Sequence, residues 1–311
     1  MTSASTPSQP LEPRYIEANG LRFAYLEARP TGSAAKKAPF VLCLHGFPDT
    51  AWSFSKLLPR LADAGYHAVA LFMRGYAPTA LASDGNYSIT ELGRDVIALF
   101  EHFGIDKGHV VGHDWGAGAA YAAAGMRPDR IASIVTAGLP HVRRFLLRPS
   151  RAQLNASGYI FSFQVPWTPE RRMARDDFAW LRQLVQNWSP NWNIADDYWT
   201  HLTQAFAEPG RRHAAMAYYR DLRRAMFRRD TWRYLMHPLQ VPAGVIRGTD
   251  DHCILPASFE GQAHLFGAGY ELVTLQGAGH FMHLEQPDVF AAEVLKGLAG
   301  ADASSAASQR A

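Results

Sequence analysis

Gly112-His113-Asp114-Trp115-Gly116 is the stretch on which the reading of this chain turns. A short apolar run, His109-Val110-Val111, precedes it, and an alanine- and glycine-rich run from Ala117 to Gly125 follows. That order predicts a strand, a sharp turn and a helix. A residue on such a turn projects at the carboxyl end of the strand, over the N-terminus of the next helix, and the small residues Gly112 and Gly116 let the backbone bend that tightly. The pattern is a nucleophile elbow with aspartate where serine usually stands. The exchange matters, because a carboxylate attacks saturated carbon and forms an alkyl ester, whereas a serine hydroxyl suits acyl carbon. The plainer reading of Asp114 is a helix N-cap, a common task for aspartate at a strand-to-helix junction.

Working outward, Phe40-Val41-Leu42-Cys43-Leu44 is an apolar run of buried-strand type that ends in His45-Gly46-Phe47-Pro48-Asp49. Glycine and proline directly after a strand fix a tight loop. Downstream, Val241 to Ile246 predicts another buried strand, closed by Gly248-Thr249-Asp250-Asp251-His252. A further strand, Tyr270 to Leu275, ends in Gly277-Ala278-Gly279-His280. An acid after one strand and a histidine after the next give the order nucleophile, acid, base. Asp250 and Asp251 compete for the acid's place, which is to hold the imidazole in one tautomer and stabilise its cation; His280 is the candidate base that activates water. The alternative for His280 alone is a solvated loop residue.

The chain has 311 residues, which suits one large α/β domain with an inserted subdomain. With 48% apolar and 19% charged residues it can bury a sizeable core, and a net charge of +3 gives no argument for nucleic acid. Cys43 and Cys253 are the two cysteines, too few for a disulfide framework, and they fit a reducing, cytoplasmic setting. Cys43 falls in a predicted core strand. Residues 1–13 and 300–311 are small and polar and are expected to be mobile tails. The first of them has no apolar segment of secretory type, and no run approaches the length of a membrane span.

Along the chain, Tyr15 to Ala18, Asn19-Gly20 and Leu21 to Tyr25 predict a hairpin. Trp52 to Leu61 has helical spacing, His67 to Leu71 is a strand, and Ser88 or Thr90 caps a helix that places Ile89, Leu92, Val96, Leu99 and Phe103 on one face. Ile131 to Val135 is the next strand. A leading hairpin followed by strand–helix alternation predicts a mostly parallel eight-stranded sheet covered on both faces. The alternation breaks at Pro140-His141. From 141 to 237 the sequence is dense in arginine and aromatics at helical spacing, as in Ala179 to Val185 and Ala214 to Phe227, which predicts a helical insertion, placed where α/β-hydrolases carry a lid (cap), in a core of 14–140 and 238–299. Its arginines read first as solvated helix faces and second as a basic binding face.

Taken together, from about Arg14 to Leu298 the chain resembles the epoxide hydrolases of the α/β-hydrolase superfamily. The pairing of His45-Gly46-Phe47-Pro48 with Gly112-His113-Asp114-Trp115-Gly116 is specific to the carboxylate-nucleophile branch. The resemblance implies an α/β-hydrolase fold, an oxyanion hole made by the backbone N–H groups of Phe47 and Trp115, and Asp251 as the acid, because the family's loop reads Gly-x-x-Asp. It also implies two lid tyrosines that donate to the ring oxygen. One precedes an aromatic segment ending in Gln-x-Pro, which Tyr159-Ile160-Phe161-Ser162-Phe163-Gln164-Val165-Pro166 matches. The other stands in a Tyr-Arg pair, which Ala217-Tyr218-Tyr219-Arg220 matches, so the roles fall on Tyr159 and Tyr219, with Tyr218 as aromatic filler. The chain departs from the family at Ala117, where a second glycine is common, at Ala217, where asparagine is frequent, and at Ala77, where glycine is usual.

The expected reaction is the opening of an apolar or aryl epoxide to a diol through an ester on Asp114, with no cofactor and no metal. The expected partners are the small epoxide and water, with no nucleic acid and no membrane; a homodimer stays open. Two alternatives stand beside it. A haloalkane or haloacid dehalogenase uses the same nucleophile, but the haloalkane enzymes have asparagine where Phe47 stands and the fluoroacetate type has arginine where Trp115 stands. A hydrolase-fold protein that binds a small molecule without turnover has no need of the lid phenols.

Overall fold

The computed structural model describes residues 11–308. Eight strands form one sheet: β1 (Arg14–Ala18), β2 (Leu21–Ala28), β3 (Phe40–Leu44), β4 (His67–Phe72), β5 (Gly108–His113), β6 (Ile131–Ala137), β7 (Ala243–Gly248) and β8 (Tyr270–Leu275). Their order across the sheet is β1-β2-β4-β3-β5-β6-β7-β8. β1, β2 and β4 pair antiparallel and every other pair is parallel. The hairpin turn follows from its two residues, since Asn19 and Gly20 both take positive φ, 47° and 69°.

The pleat divides the core in two. Phe40, Leu42 and Leu44 of β3 enter the cluster under α2 (Ile89–His102) and α3 (Trp115–Met126), while Val41 and Cys43 enter the one under α1 (Leu57–Asp63), α12 (Met282–Glu285) and α13 (Pro287–Ser308). This two-sided burial is why the parallel strands read as unbroken apolar runs. α2 is capped by Ser88, whose Oγ accepts the Glu91 N–H, rather than by Thr90. The helical spacing of Trp52 to Leu61 resolves into a single 3-10 turn, Ala51–Phe54, followed by α1, in which Pro59 sits in the first turn, where a missing N–H costs little.

Eight α-helices lie between β6 and β7: α4 (Val142–Leu147), α5 (Arg151–Ala156), α6 (Gly158–Phe163), α7 (Thr168–Ala174), α8 (Ala179–Trp188), α9 (Asp196–Ala205), α10 (Pro209–Ala225) and α11 (Arg229–Leu235). Their arginines divide by role. Arg171, Arg172, Arg223 and Arg224 are exposed. Arg220 instead reaches Glu170 at 2.6 Å and the carbonyls of Phe163 and Val165.

The C-terminal stretch departs from expectation. Helix α13 continues through Ser308, where a mobile tail from 300 was expected. Alanine is the strongest helix former, and Asp302 is anchored on the sheet by the Tyr66 hydroxyl at 2.9 Å and by His109 at 3.1 Å. Of the expected tails, residues 1–10 and 309–311 lie outside the described residues. Among the described residues no helix is long and apolar enough to cross a membrane.

Candidate active site

Asp114 links β5 to α3 with φ 52° and ψ −116°. Such a backbone costs a non-glycine residue about 1–3 kcal/mol and persists only where the surroundings enforce it. Here the Asp114 N–H donates to Ala137 and the Asp114 carbonyl accepts from Gly118. The flanking residues must be glycine: a Cβ on Gly112 would lie 2.4 Å from the Gly116 oxygen, and one on Gly116 would lie 2.0 Å from that of Leu44. Asp114 makes no N-cap side-chain bond to α3. Its Oδ1 accepts the Phe47 N–H at 2.8 Å instead. Gly46 makes room for this approach, since a Cβ there would sit 2.3 Å from Oδ1.

The loop after β3 is fixed by its own polar groups. His45 Nδ1 lies 2.9 Å from the Gly46 carbonyl and His45 Nε2 accepts the Met73 N–H at 3.0 Å, which leaves the ring neutral with its proton on Nδ1. The Pro48 carbonyl accepts from the Tyr198 hydroxyl on α9.

Across the pocket floor, His280 Nδ1 lies 3.0 Å from Asp251 Oδ2 and His280 Nε2 lies 3.8 Å from Asp114 Oδ2. Asp251 is wholly buried, and its Oδ1 accepts the N–H groups of Cys253 and Ile254 at 2.8 Å each. Asp250 turns elsewhere, to Asn191 and Thr249. The His280 backbone is held at both ends: its N–H donates to the Trp188 carbonyl at 3.1 Å, and its carbonyl accepts from His113 Nε2 at 2.9 Å.

The roof comes from α6 and α10. Tyr159 and Tyr219 face each other edge to face with ring centroids 5.8 Å apart. Tyr219 also packs edge-on against Trp115 at 5.1 Å and Phe47 at 5.4 Å, and Tyr159 lies tilted against Trp188 at 4.9 Å. Gln164 ties the two segments together by donating to the Tyr219 carbonyl at 2.9 Å. The neighbour Tyr218 points the other way and donates to the Arg74 carbonyl at 2.8 Å. Asp114, Trp115, Tyr159 and Tyr219 thus line one pocket, whose remaining walls are apolar, among them Leu139, Phe145, Ile160 and Leu222.

Burial dominates the electrostatics. It raises the Asp114 carboxyl to about 6, against the opposing pull of His280 and of the Phe47 and Trp115 N–H groups. Burial opposes the His280 cation, but Cys253 and Asp251 beside it raise the imidazole well above its ordinary value. Burial likewise lifts both Tyr159 and Tyr219 well above 10, so both phenols keep their protons through the neutral range. The Tyr219 hydroxyl and His280 Nε2 are buried and have no hydrogen-bond partner among the described residues, the state expected of groups reserved for a bound molecule.

The sequence reading passed over several contributors. Cys253 lies 3.5 Å from the Tyr159 hydroxyl, and Gln153 bonds the Cys253 carbonyl. Their only trace in the sequence is that Cys253 follows Asp251 by two positions. Behind the elbow, buried Asp49, His113 and His283 bring one ligand-type atom each within 4.8 Å of one another. Asp49 spends its oxygens on the Thr50 N–H and on His283 Nε2, a polar network that the spacing of these residues did not reveal.

The fold and this arrangement define the class: residues 39–287 match the model of the α/β hydrolase fold family, and the chain belongs to it. It is 29% identical to Epoxide hydrolase A of Mycobacterium tuberculosis over 324 aligned positions, covering 92% of this chain and 97% of that protein. It is 28% identical to Epoxide hydrolase 4 of Homo sapiens, covering 88% of this chain and 75% of that one. Among solved structures it is similar to Epoxide Hydrolase A from Mycobacterium thermoresistibile, with a TM-score of 0.79, 26% identity, and 94% and 99% of the two chains covered.

Proposed function

We propose that this protein is an epoxide hydrolase that opens apolar or aryl epoxides to vicinal diols through a covalent ester on Asp114. The observation that carries the reading is the convergence, on one apolar pocket, of a strained carboxylate below and two protonated phenols above. The similarity to proteins named epoxide hydrolases supports it.

In the first step Asp114 Oδ2 attacks a ring carbon while Oδ1 stays on the Phe47 N–H. The C–O bond breaks, and Tyr159 and Tyr219 give the leaving oxygen a hydrogen bond and then a proton. Esterification removes the charge on Asp114, so the His280 cation loses a partner, returns a proton to the phenolate left by the first step and becomes a base. In the second step His280, steadied by Asp251, takes a proton from water as the water adds to the ester carbonyl carbon. The oxyanion forms on Oδ1, where the N–H groups of Phe47 and Trp115 hold it. Collapse breaks the ester C–O bond, the leaving alkoxide takes the proton from His280 to give the diol, and the Asp114 carboxylic acid passes its proton to His280, which restores the carboxylate and the imidazolium. The helices α4–α11 act as the lid that covers the pocket, and the substrate and water are the only partners the reaction requires. Both cysteines are unpaired and buried, which supports a cytoplasmic setting.

A single turnover in H2-18O with enzyme in excess tests this. Water attacks the ester carbonyl, so the label is expected in the Asp114 carboxyl and absent from the first diol formed. Label in the diol with Asp114 unlabelled means direct attack of water on the epoxide and overturns the ester.

A further inference from the structure

The Tyr159 hydroxyl meets the Cys253 thiol at 3.5 Å. Cys253 is wholly buried. Its backbone is gripped from both sides: the N–H donates to Asp251 Oδ1 at 2.8 Å, and the carbonyl accepts from Gln153 Nε2 at 2.9 Å. Gln153 stands on α5, is 1% exposed, and has every polar site in use. Its Nε2 also reaches Ser157 Oγ at 2.9 Å, and its Oε1 accepts the Leu255 N–H at 2.9 Å and the Ser258 hydroxyl at 2.7 Å. An amide with both donors and both acceptor sites occupied is fixed in rotamer and in orientation. Gln153 therefore clamps the loop that carries Asp251 to the helix pair that carries Tyr159.

Resting on the reading of Tyr159 as proton donor, we propose that Gln153 and Cys253 form a positioning latch, in which the clamped thiol aims the Tyr159 hydroxyl at the leaving oxygen. The thiol donates its S–H to the phenol oxygen, and the phenol O–H is thereby directed into the pocket. As the phenol passes its proton to the ring oxygen, negative charge grows on the atom that the S–H faces, and the contact strengthens. Burial raises the Cys253 pKa, against the opposing pull of the neighbouring His280. The same loop supplies Asp251 to His280, so one segment sets both the acid of the first step and the base of the second.

The test is the rate at which the ester builds up on the full-length His280→Gln protein mixed with styrene oxide, followed by quenched-flow mass measurement. Cys253→Ala is expected to slow ester formation about five- to tenfold, the loss of one buried hydrogen bond to a group gaining charge. Cys253→Ser, which keeps an O–H donor, is expected to recover most of the rate. In a Tyr159→Phe background Cys253→Ala is expected to have no further effect, which a purely structural role of the thiol would not produce. An unchanged rate in Cys253→Ala overturns the latch, as does an equal loss in Cys253→Ser or the same loss with and without the Tyr159 hydroxyl. Absence of any ester in the His280→Gln parent overturns instead the reading on which the latch rests.

Discussion

The floor of the pocket is set by backbone and its roof by side chains. Below, Asp114 is held at φ 52° by glycines that admit no Cβ, and its carboxylate rests on a backbone N–H. Its partners Asp251 and His280 stand on loops at the carboxyl ends of parallel strands, where such sheets bind their ligands. Above, Tyr159 rides on a six-residue helix and Tyr219 on a seventeen-residue one, and aromatic contacts with Phe47, Trp115 and Trp188 place their rings. The floor is rigid by steric necessity and suits chemistry that is the same for every substrate. The roof is rigid only by packing, so it can change with the shape of what it covers.

Substitutions sharpen this division. Asp114→Asn removes the proposed nucleophile and is expected to lower turnover of styrene oxide about 10^4-fold or more, read as diol formed per hour. Tyr159→Phe with Tyr219→Phe is expected to slow ester formation about 10^2- to 10^4-fold and to leave ester hydrolysis close to normal, measured by rapid mixing. Near-normal ring opening in that double variant would remove the roof from the chemistry altogether.

The pH profile probes the floor. In the proposed mechanism Asp114 must be ionised to attack, and burial raises its carboxyl to about 6. The rate is therefore expected to be full above that value and to fall as pH drops through it. At pH 5, kcat/KM is expected to be about tenfold below its plateau, whereas a carboxyl of ordinary pKa would leave it unchanged there. The smallest effect is expected from Asp250→Asn. Asp250 bonds Asn191 and Thr249 rather than His280, so activity should stay within about twofold of the parent and stability within about 0.5 kcal/mol.

The same division governs what could be read in the sequence. The elbow was legible because its demands fall on adjacent residues: strand, two glycines, one projecting side chain, helix. The fold followed from the alternation around it. Asp250 and Asp251 look alike in sequence, and only the fold turns the second toward His280. The roof was legible only through resemblance, because nothing local marks Tyr219 from Tyr218. One helical step of rotation sends the first into the pocket and the second to Arg74. Gln153 was invisible, since its four hydrogen bonds reach Ser157 on one side and residues about a hundred positions away on the other. The C-terminal stretch shows the opposite case: alanine and serine mark a tail by composition, but alanine forms helices and Asp302 finds Tyr66 and His109.

The central claim is that Asp114 becomes an ester during the reaction, and the intact mass of the His280→Gln protein after exposure to styrene oxide tests it most directly. The expected result is a gain equal to the whole epoxide, lost when Asp114 is also replaced by asparagine. An unchanged mass with styrene oxide, alongside a halogen-free alkyl adduct from 1-bromobutane, would contradict it and move the protein to the dehalogenases.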